Sequence, residues 1–467
     1  MKQETQTPTD QPGHTTPKQP EPSLPSAAKK HHGFGHFIWG SMWRRIVTSV
    51  LVLAILVGLG GLTVFEVRHG GHDNQNSLAN PNSVSASVSN ACTTTNPPFS
   101  NFPIALSGIS TVTPLGHLDP PSHNFPVPHM YINYAKQPNG DPVPVTFTAP
   151  GNINVYDISI IAKVNDTNTG KTYYDYKIWF TACDKLLGGY FIHVYGLSSQ
   201  LAAAFGPLDA NQITSNVMGH ESWGPGIDVE DVNYTKFVNV NLNAGAEIGT
   251  AGGAANFTTN FDFGLSDSRK VGQTADPAIW KPNDDNYVCS LDYFSASVRK
   301  ALYGKIGDFN NLSPAADQQC GQVYQDQDGT AQGVWVVKGT NKTNQSVWSL
   351  NQHLISFIHD NIVPHNYMVG FSSDVQQTLG FQDSSAYIVT PSSSGNVDRP
   401  FNDVVANGST YCYQTTPQYS SPGQSGISFT LQMLNPTELR MGALPNGVSC
   451  SSPSSQWQPA KYLDFER

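Results

Sequence analysis

The sequence predicts a mainly β protein: an N-terminal transmembrane helix followed by two β-rich extracytoplasmic modules. Three observations carry this. Only 13% of the 467 residues are charged, about half of the roughly 25% usual in soluble domains, so solubility rests on Ser, Thr, Asn, Gln and Gly. The 41 glycines and 33 prolines break the chain into short segments, and many of these alternate apolar with polar residues as half-buried strands do. One uncharged apolar run, Ile46 to Phe65, has about the ~20 residues that a helix needs to cross a bilayer.

Arg44 and Arg45 precede that run and Glu66 follows it. By the positive-inside rule residues 1–45 form a disordered cytoplasmic tail, residues 46–66 a single-pass membrane span, and everything beyond lies outside the cell. Phe37, Trp39 and Trp43 suit the headgroup belt. A cleaved signal peptide fits less well, because the stretch before the run is too long for an n-region. The lipid bilayer is therefore an expected partner through residues 46–66. Residues 67–100, rich in Asn, Ser and Pro, read as a flexible stalk. A net charge of −10 argues against a nucleic-acid partner, which would need clustered Lys and Arg.

All six cysteines lie beyond the apolar run and none forms a C-x-x-C pair. In an exported segment they read as disulfides, and pairing in sequence order joins Cys92 to Cys183, Cys289 to Cys320 and Cys412 to Cys450. Six cysteines allow 15 connectivities, so the spacing does not fix this one.

The first module is expected over residues 101–280. The segments "PVPVTFTAPGNI", "NVYDISIIAKVN", "YYDYKIWFTAC" and "GGYFIHVYGL" read as strands, with turns at Asn168–Gly170 and Gly188–Gly189. "LSSQLAAAFG" is a short helix with a serine cap, and Asn260 to Leu265 is a further strand. The second module is expected over residues 285–467. "SASVRKALYGKIG" reads as a helix, "GVWVVKG", "HLISFIHDNI" and "YMVGFSS" as strands, and "ISFTLQMLNPTELRMGAL" as a hairpin turning at Asn435–Pro436. Nothing in this half points to an activity.

"GHLDPPSHNFPVPHMYINY" carries His117, His123 and His129 at intervals of six, with Asp119 and several prolines between them. Six is neither a helical nor a strand period, so the three need not share a face. His129 alone opens a strand. Over about residues 112–268 the order of motifs resembles the barrel of lysostaphin-type zinc endopeptidases, which cut peptide cross-links in peptidoglycan. "HMYINY" stands where that family has H-x-x-x-D, "YFIHVYGLS" where it has a further histidine, "GAEIGTAGG" at its glycine turn, and "NFDFGLSD" at its H-x-H strand. The resemblance implies His129 as first zinc ligand, Asn133 at the aspartate ligand's position, His193 as the catalytic histidine, and Asp262 at the last ligand's position. Asn133 is neutral and a poor zinc ligand.

Three readings follow. The first is a membrane-anchored extracytoplasmic protein with a degenerate, non-catalytic peptidase-like domain that binds cell-envelope polymer or a protein partner, without a cofactor. The second is a zinc-dependent peptidoglycan or peptide hydrolase with a rearranged metal site, a His/His/His or His/His/Asp set drawn from His117, Asp119, His123 and His129 together with His193. The third is a structural envelope or adhesion protein whose histidines satisfy backbone groups in loops. "GHESWGPG" (His220, Glu221) lacks the second histidine of H-E-x-x-H, and "QDQDGTAQG" lacks the twelve-position calcium pattern, so both read as turns.

Overall fold

The computed structural model describes residues 92–135, 145–224, 226–252, 260–280, 286–307, 320–381, 385–392, 394–418, 425–445 and 447–467, without the side chains at 210 and 215–224. The expected cytoplasmic tail, the membrane span and most of the stalk lie outside these residues. Among the described residues no helix is long and apolar enough to cross a membrane.

The chain is mainly β, with a nearly closed, barrel-like first sheet. Its strands are β1 (Ile109–Thr113), β2 (His129–Tyr134), β3 (Val145–Thr148), β4 (Ile153–Asp166), β5 (Lys171–Ala182), β6 (Leu187–Leu197), β7 (Thr214–Gly224), β8 (Ile227–Leu242), β9 (Glu247–Ala251) and β10 (Asn260–Asp267). They pair in the order β1-β2-β10-β6-β5-β4-β8-β7, with β9 bridging β3 and β6. Every ladder in it is antiparallel. The helix α1 (Ser199–Phe205) begins where the hydroxyl of Ser198 accepts from the backbone N–H of Leu201. It ends at Gly206, whose φ of 73° favours glycine.

Strand alternation decides what each face of the sheet carries. Phe180, Phe191, Phe261 and Phe263 point to one side and are fully buried. Phe191 packs on Phe147, Phe180 and Phe263 with ring centroids 4.9 to 5.0 Å apart. Residues between them, among them Tyr190 and Asp262, point to the other side. That side is polar, and it holds every candidate site residue on β2, β6 and β10.

The second sheet is built from β11 (Gly333–Val337), β12 (Leu354–His359), β13 (Tyr367–Phe371), β14 (Ala386–Val389), β15 (Tyr411–Gln414), β16 (Thr416–Pro417), β17 (Ser428–Asn435), β18 (Glu438–Ala443) and β19 (Lys461–Glu466). The hairpin β17–β18 turns at Asn435–Glu438. Helix α2 (Ala296–Tyr303), with Leu302 buried, packs on the first sheet's core, and the same apolar cluster takes in Val334, Val336, Val347, Leu350 and Leu354 from the second half. Residues Asn80–Arg467 thus form one compact unit. The three disulfides pair in sequence order. One of them ties Cys92 to the barrel at Cys183, and Phe99 is buried against Phe180 and Phe294.

Because Phe191 sits among three other phenylalanines, Phe191→Ala should cost about 3–5 kcal/mol, the usual range for emptying a buried aromatic site. Urea unfolding of the wild type and the variant measures this directly. A loss below about 1 kcal/mol would contradict the packing described.

Candidate functional site

The register of three strands assembles the site. Asp262 of β10 lies opposite Tyr131 of β2 and Ile192 of β6, and Gly264 lies opposite His129 and Tyr190. A Cβ at residue 264 would come within 2.3 Å of the Tyr190 ring. The missing side chain lets that ring lie across the strand, with its hydroxyl 3.1 Å from Nδ1 of His129. With Nδ1 engaged, Nε2 of His129 faces Asp262, 3.4 Å from Oδ2 but making no hydrogen bond.

His193 reaches the same carboxylate through a bulge. Ile178 pairs with Phe191 but Tyr176 pairs with Val194, so Ile192 and His193 together oppose Lys177. His193 takes a φ of 68°, a strained value for a residue with a side chain. The bulge carries Nε2 to 3.7 Å from Asp262 Oδ2. Its Nδ1 donates to Oδ2 of Asp175 at 2.7 Å, and the Tyr195 hydroxyl donates to the same oxygen at 2.9 Å. The result is a chain of groups running Asp175, His193, Asp262, His129, Tyr190.

Asp175 was not singled out from the sequence. Its signal was a carboxylate inside an aromatic strand, "YYDYKIWF", where a charge must find a partner or face solvent. It is completely buried.

The other expected residues have different surroundings. The Asn133 amide donates to the hydroxyls of Thr111 (3.0 Å) and Thr113 (3.3 Å) on β1. His117 is buried, edge-on to Tyr131, and its Nε2 accepts from Nε2 of Gln418 at 3.3 Å. His123 packs its ring against His129, Phe125 and Trp348, with centroids 5.5, 6.3 and 5.4 Å away. The side chains of His220 and Glu221 lie outside those described. In "QDQDGTAQG" the two oxygens of Asp326 accept from the backbone N–H groups of Val334 and Ala275, as in a structural turn.

The second half of the chain closes over the His129 end of the cluster, while the His193 side chain stays 22% exposed. Helix α3 (Val347–Leu350) lays the Trp348 ring parallel to His129, 6.3 Å between centroids and 11° between planes. Beside it Asn124 and Asn351 interlock. The backbone N–H of Asn124 donates to Asn351 Oδ1 at 2.8 Å, and Asn351 Nδ2 donates to the carbonyls of Pro121 and Ser122, both at 3.0 Å. The proline-rich histidine loop is thus the seam between the two sheets.

Burial sets the protonation states. It pushes His117 and His123 down to about 4 and His129 well below its usual range, so all three are neutral near pH 7. Burial also lifts Asp262 to about 7; His193 opposes that rise and Asp175 adds to it. For His193 burial works against the charge, but the carboxylates of Asp175 and Asp262 and the hydrogen bond to Asp175 outweigh it and raise the ring to about 9. His193 is therefore an imidazolium at neutral pH.

A zinc ion is the group that the motif order implies. The donors are chemically suitable, since His129 Nε2 and Asp262 Oδ1 are buried without hydrogen-bond partners. The arrangement does not fit a catalytic zinc, however. Such a site needs three protein ligands around one point and an open position. Among the described residues no three His, Cys, Asp or Glu side chains converge closely enough to hold an ion, and Trp348 covers His129. What the cluster holds as it stands is one charge-assisted hydrogen bond, His193 to Asp175, beside Asp262 and a neutral His129.

The raised His193 gives a pH signature. A group whose pKa is higher folded than unfolded stabilises the fold fully below its unfolded value, near 6.5, and loses that contribution as pH rises through 9. Thermal or urea unfolding across pH 6.5–9 should show a decline on the order of 2 kcal/mol attributable to this ring, and His193→Gln should flatten it. An unchanged slope in the variant would contradict the Asp175–His193 pairing.

No family model, curated protein or solved structure matches this chain.

Proposed function

We propose that this chain is a membrane-anchored extracytoplasmic protein whose barrel is peptidase-like in plan but non-catalytic, and that it serves to bind cell-envelope polymer. The observation that most supports the reading is the cover over His129, which is 1% exposed. A hydrolase must bring a scissile bond within about 3 Å of its catalytic groups. Here the ring of Trp348 and the Asn124–Asn351 interlock occupy the approach to His129. The neutral Asn133, engaged by Thr111 and Thr113, weakens a metal role further.

The hydrolase reading has its own support, because Nε2 of both His129 and His193 face one oxygen of Asp262. The same preparation decides between the two. Full-length protein should carry far less than one zinc per chain by elemental analysis, release no soluble fragments from purified peptidoglycan, and co-sediment with it. One zinc per chain, lost in His129→Ala and accompanied by chelator-sensitive fragment release, would overturn the non-catalytic reading.

A further inference from the structure

The polar face of the first sheet continues beyond the covered cluster. Across β5, β4 and β8 it opens into a groove of about 1310 Å³, larger than the roughly 300–1,000 Å³ of a small-molecule pocket. Its floor is set by alternation. On β8 the apolar residues Val240 and Leu242 turn into the core, and Asn239 and Asn241, with Asn243 just past the strand, are exposed. Asn154 on β4, with Asn152 just before that strand, falls beside them.

These amides form an ordered array. Nδ2 of Asn154 donates to Oδ1 of Asn239 at 2.8 Å and to Oδ1 of Asn241 at 2.9 Å. Oδ1 of Asn152 accepts from the backbone N–H of Ala244 at 3.1 Å. With each of these carbonyls so engaged, the Nδ2 groups of Asn152, Asn239 and Asn241 keep donor capacity and Oδ1 of Asn154 keeps acceptor capacity. Tyr156, two residues along β4 from Asn154, lines the same groove and is 37% exposed. One strand over, opposite Asp157, Phe237 is 80% exposed, the most exposed large apolar side chain described.

We propose that this groove binds a neutral glycan chain, with the asparagine amides hydrogen-bonding sugar hydroxyls and Tyr156 stacking on the apolar face of a sugar ring. The chemistry favours this occupant. Amides donate and accept without charge, as hydroxyls do, and an array already held by internal bonds loses little freedom on binding. The charged residues lining the groove are Asp184 and Lys185, of opposite sign, so neither a polyanion nor a polycation is preferred. An exposed aromatic beside neutral hydrogen-bonding groups suits a ligand with one apolar and one polar aspect. The inference deepens the polymer-binding reading and rests on it for its biological setting.

Isothermal titration of the full-length protein with cellohexaose, mannohexaose and chitohexaose tests the proposal, with hyaluronan as the anionic comparison. The expected result is saturable binding of at least one neutral hexasaccharide in preference to hyaluronan. That binding should fall at least tenfold in Tyr156→Ala and in Asn241→Asp. Both substituted positions are exposed, and unchanged thermal unfolding would verify that the fold survives. Preference for hyaluronan, absence of binding by all three neutral sugars, or binding that neither variant weakens would overturn the inference. If the protein still co-sedimented with peptidoglycan in those cases, the polymer-binding reading would survive and only the groove would fail.

Discussion

The structure depends on one constraint: two carboxylates and one imidazole, with the half-buried His193 between the carboxylates, are set on the polar face of a sheet whose other face is packed with phenylalanine. Ionised groups in such a place are costly unless each has a partner. The strand register supplies the partners, with Asp262 set between His129 and His193, and Asp175 behind His193 at 2.7 Å. Shifting any of these strands by one residue would turn its cluster residue into the apolar core. The cluster and the core therefore specify the same register.

The second half of the chain follows from the first. A polar face carrying buried histidines needs a cover that is apolar toward the rings and polar toward the backbone. Trp348 supplies the former and the paired amides of Asn124 and Asn351 the latter. Ser356 adds a hydrogen bond to the carbonyl of Asn124, and Asn361 one to that of Leu115. These contacts help explain why the two sheets share one hydrophobic cluster, and why the same face is closed at the histidines yet open at the asparagines.

Much of the fold was legible in the sequence. Period-two segments became β4, β5, β6 and β10, the capped "SSQLAAAF" became α1, and the Asn435–Pro436 turn became the β17–β18 hairpin. Three of the cluster's four titratable groups were legible too, since His129, His193 and Asp262 are brought together. The spacing of six gave no reason for His117, His123 and His129 to share a face; proline-rich loop geometry puts the first two at the seam, with the His123 ring 5.5 Å from that of His129. Asp175 and Trp348 were not foreseen, because their roles come from pairings between distant strands and between the two halves of the chain, which local pattern does not encode. The asparagine array left a trace in "NVNLN". Alternation says that such residues share a face, but only the fold shows that β4 brings Asn154 to them.

The central claim is that the cluster is organised around the hydrogen bond between Asp175 and a protonated His193 rather than around a metal ion. Nitrogen-15 NMR of the histidine rings tests it most directly. At pH 7.5 His193 should give the signature of an imidazolium and His129 that of a neutral ring, and neither should change when one equivalent of zinc is added. A neutral His193 whose Nε2 resonance moves together with that of His129 on stoichiometric zinc would contradict the account.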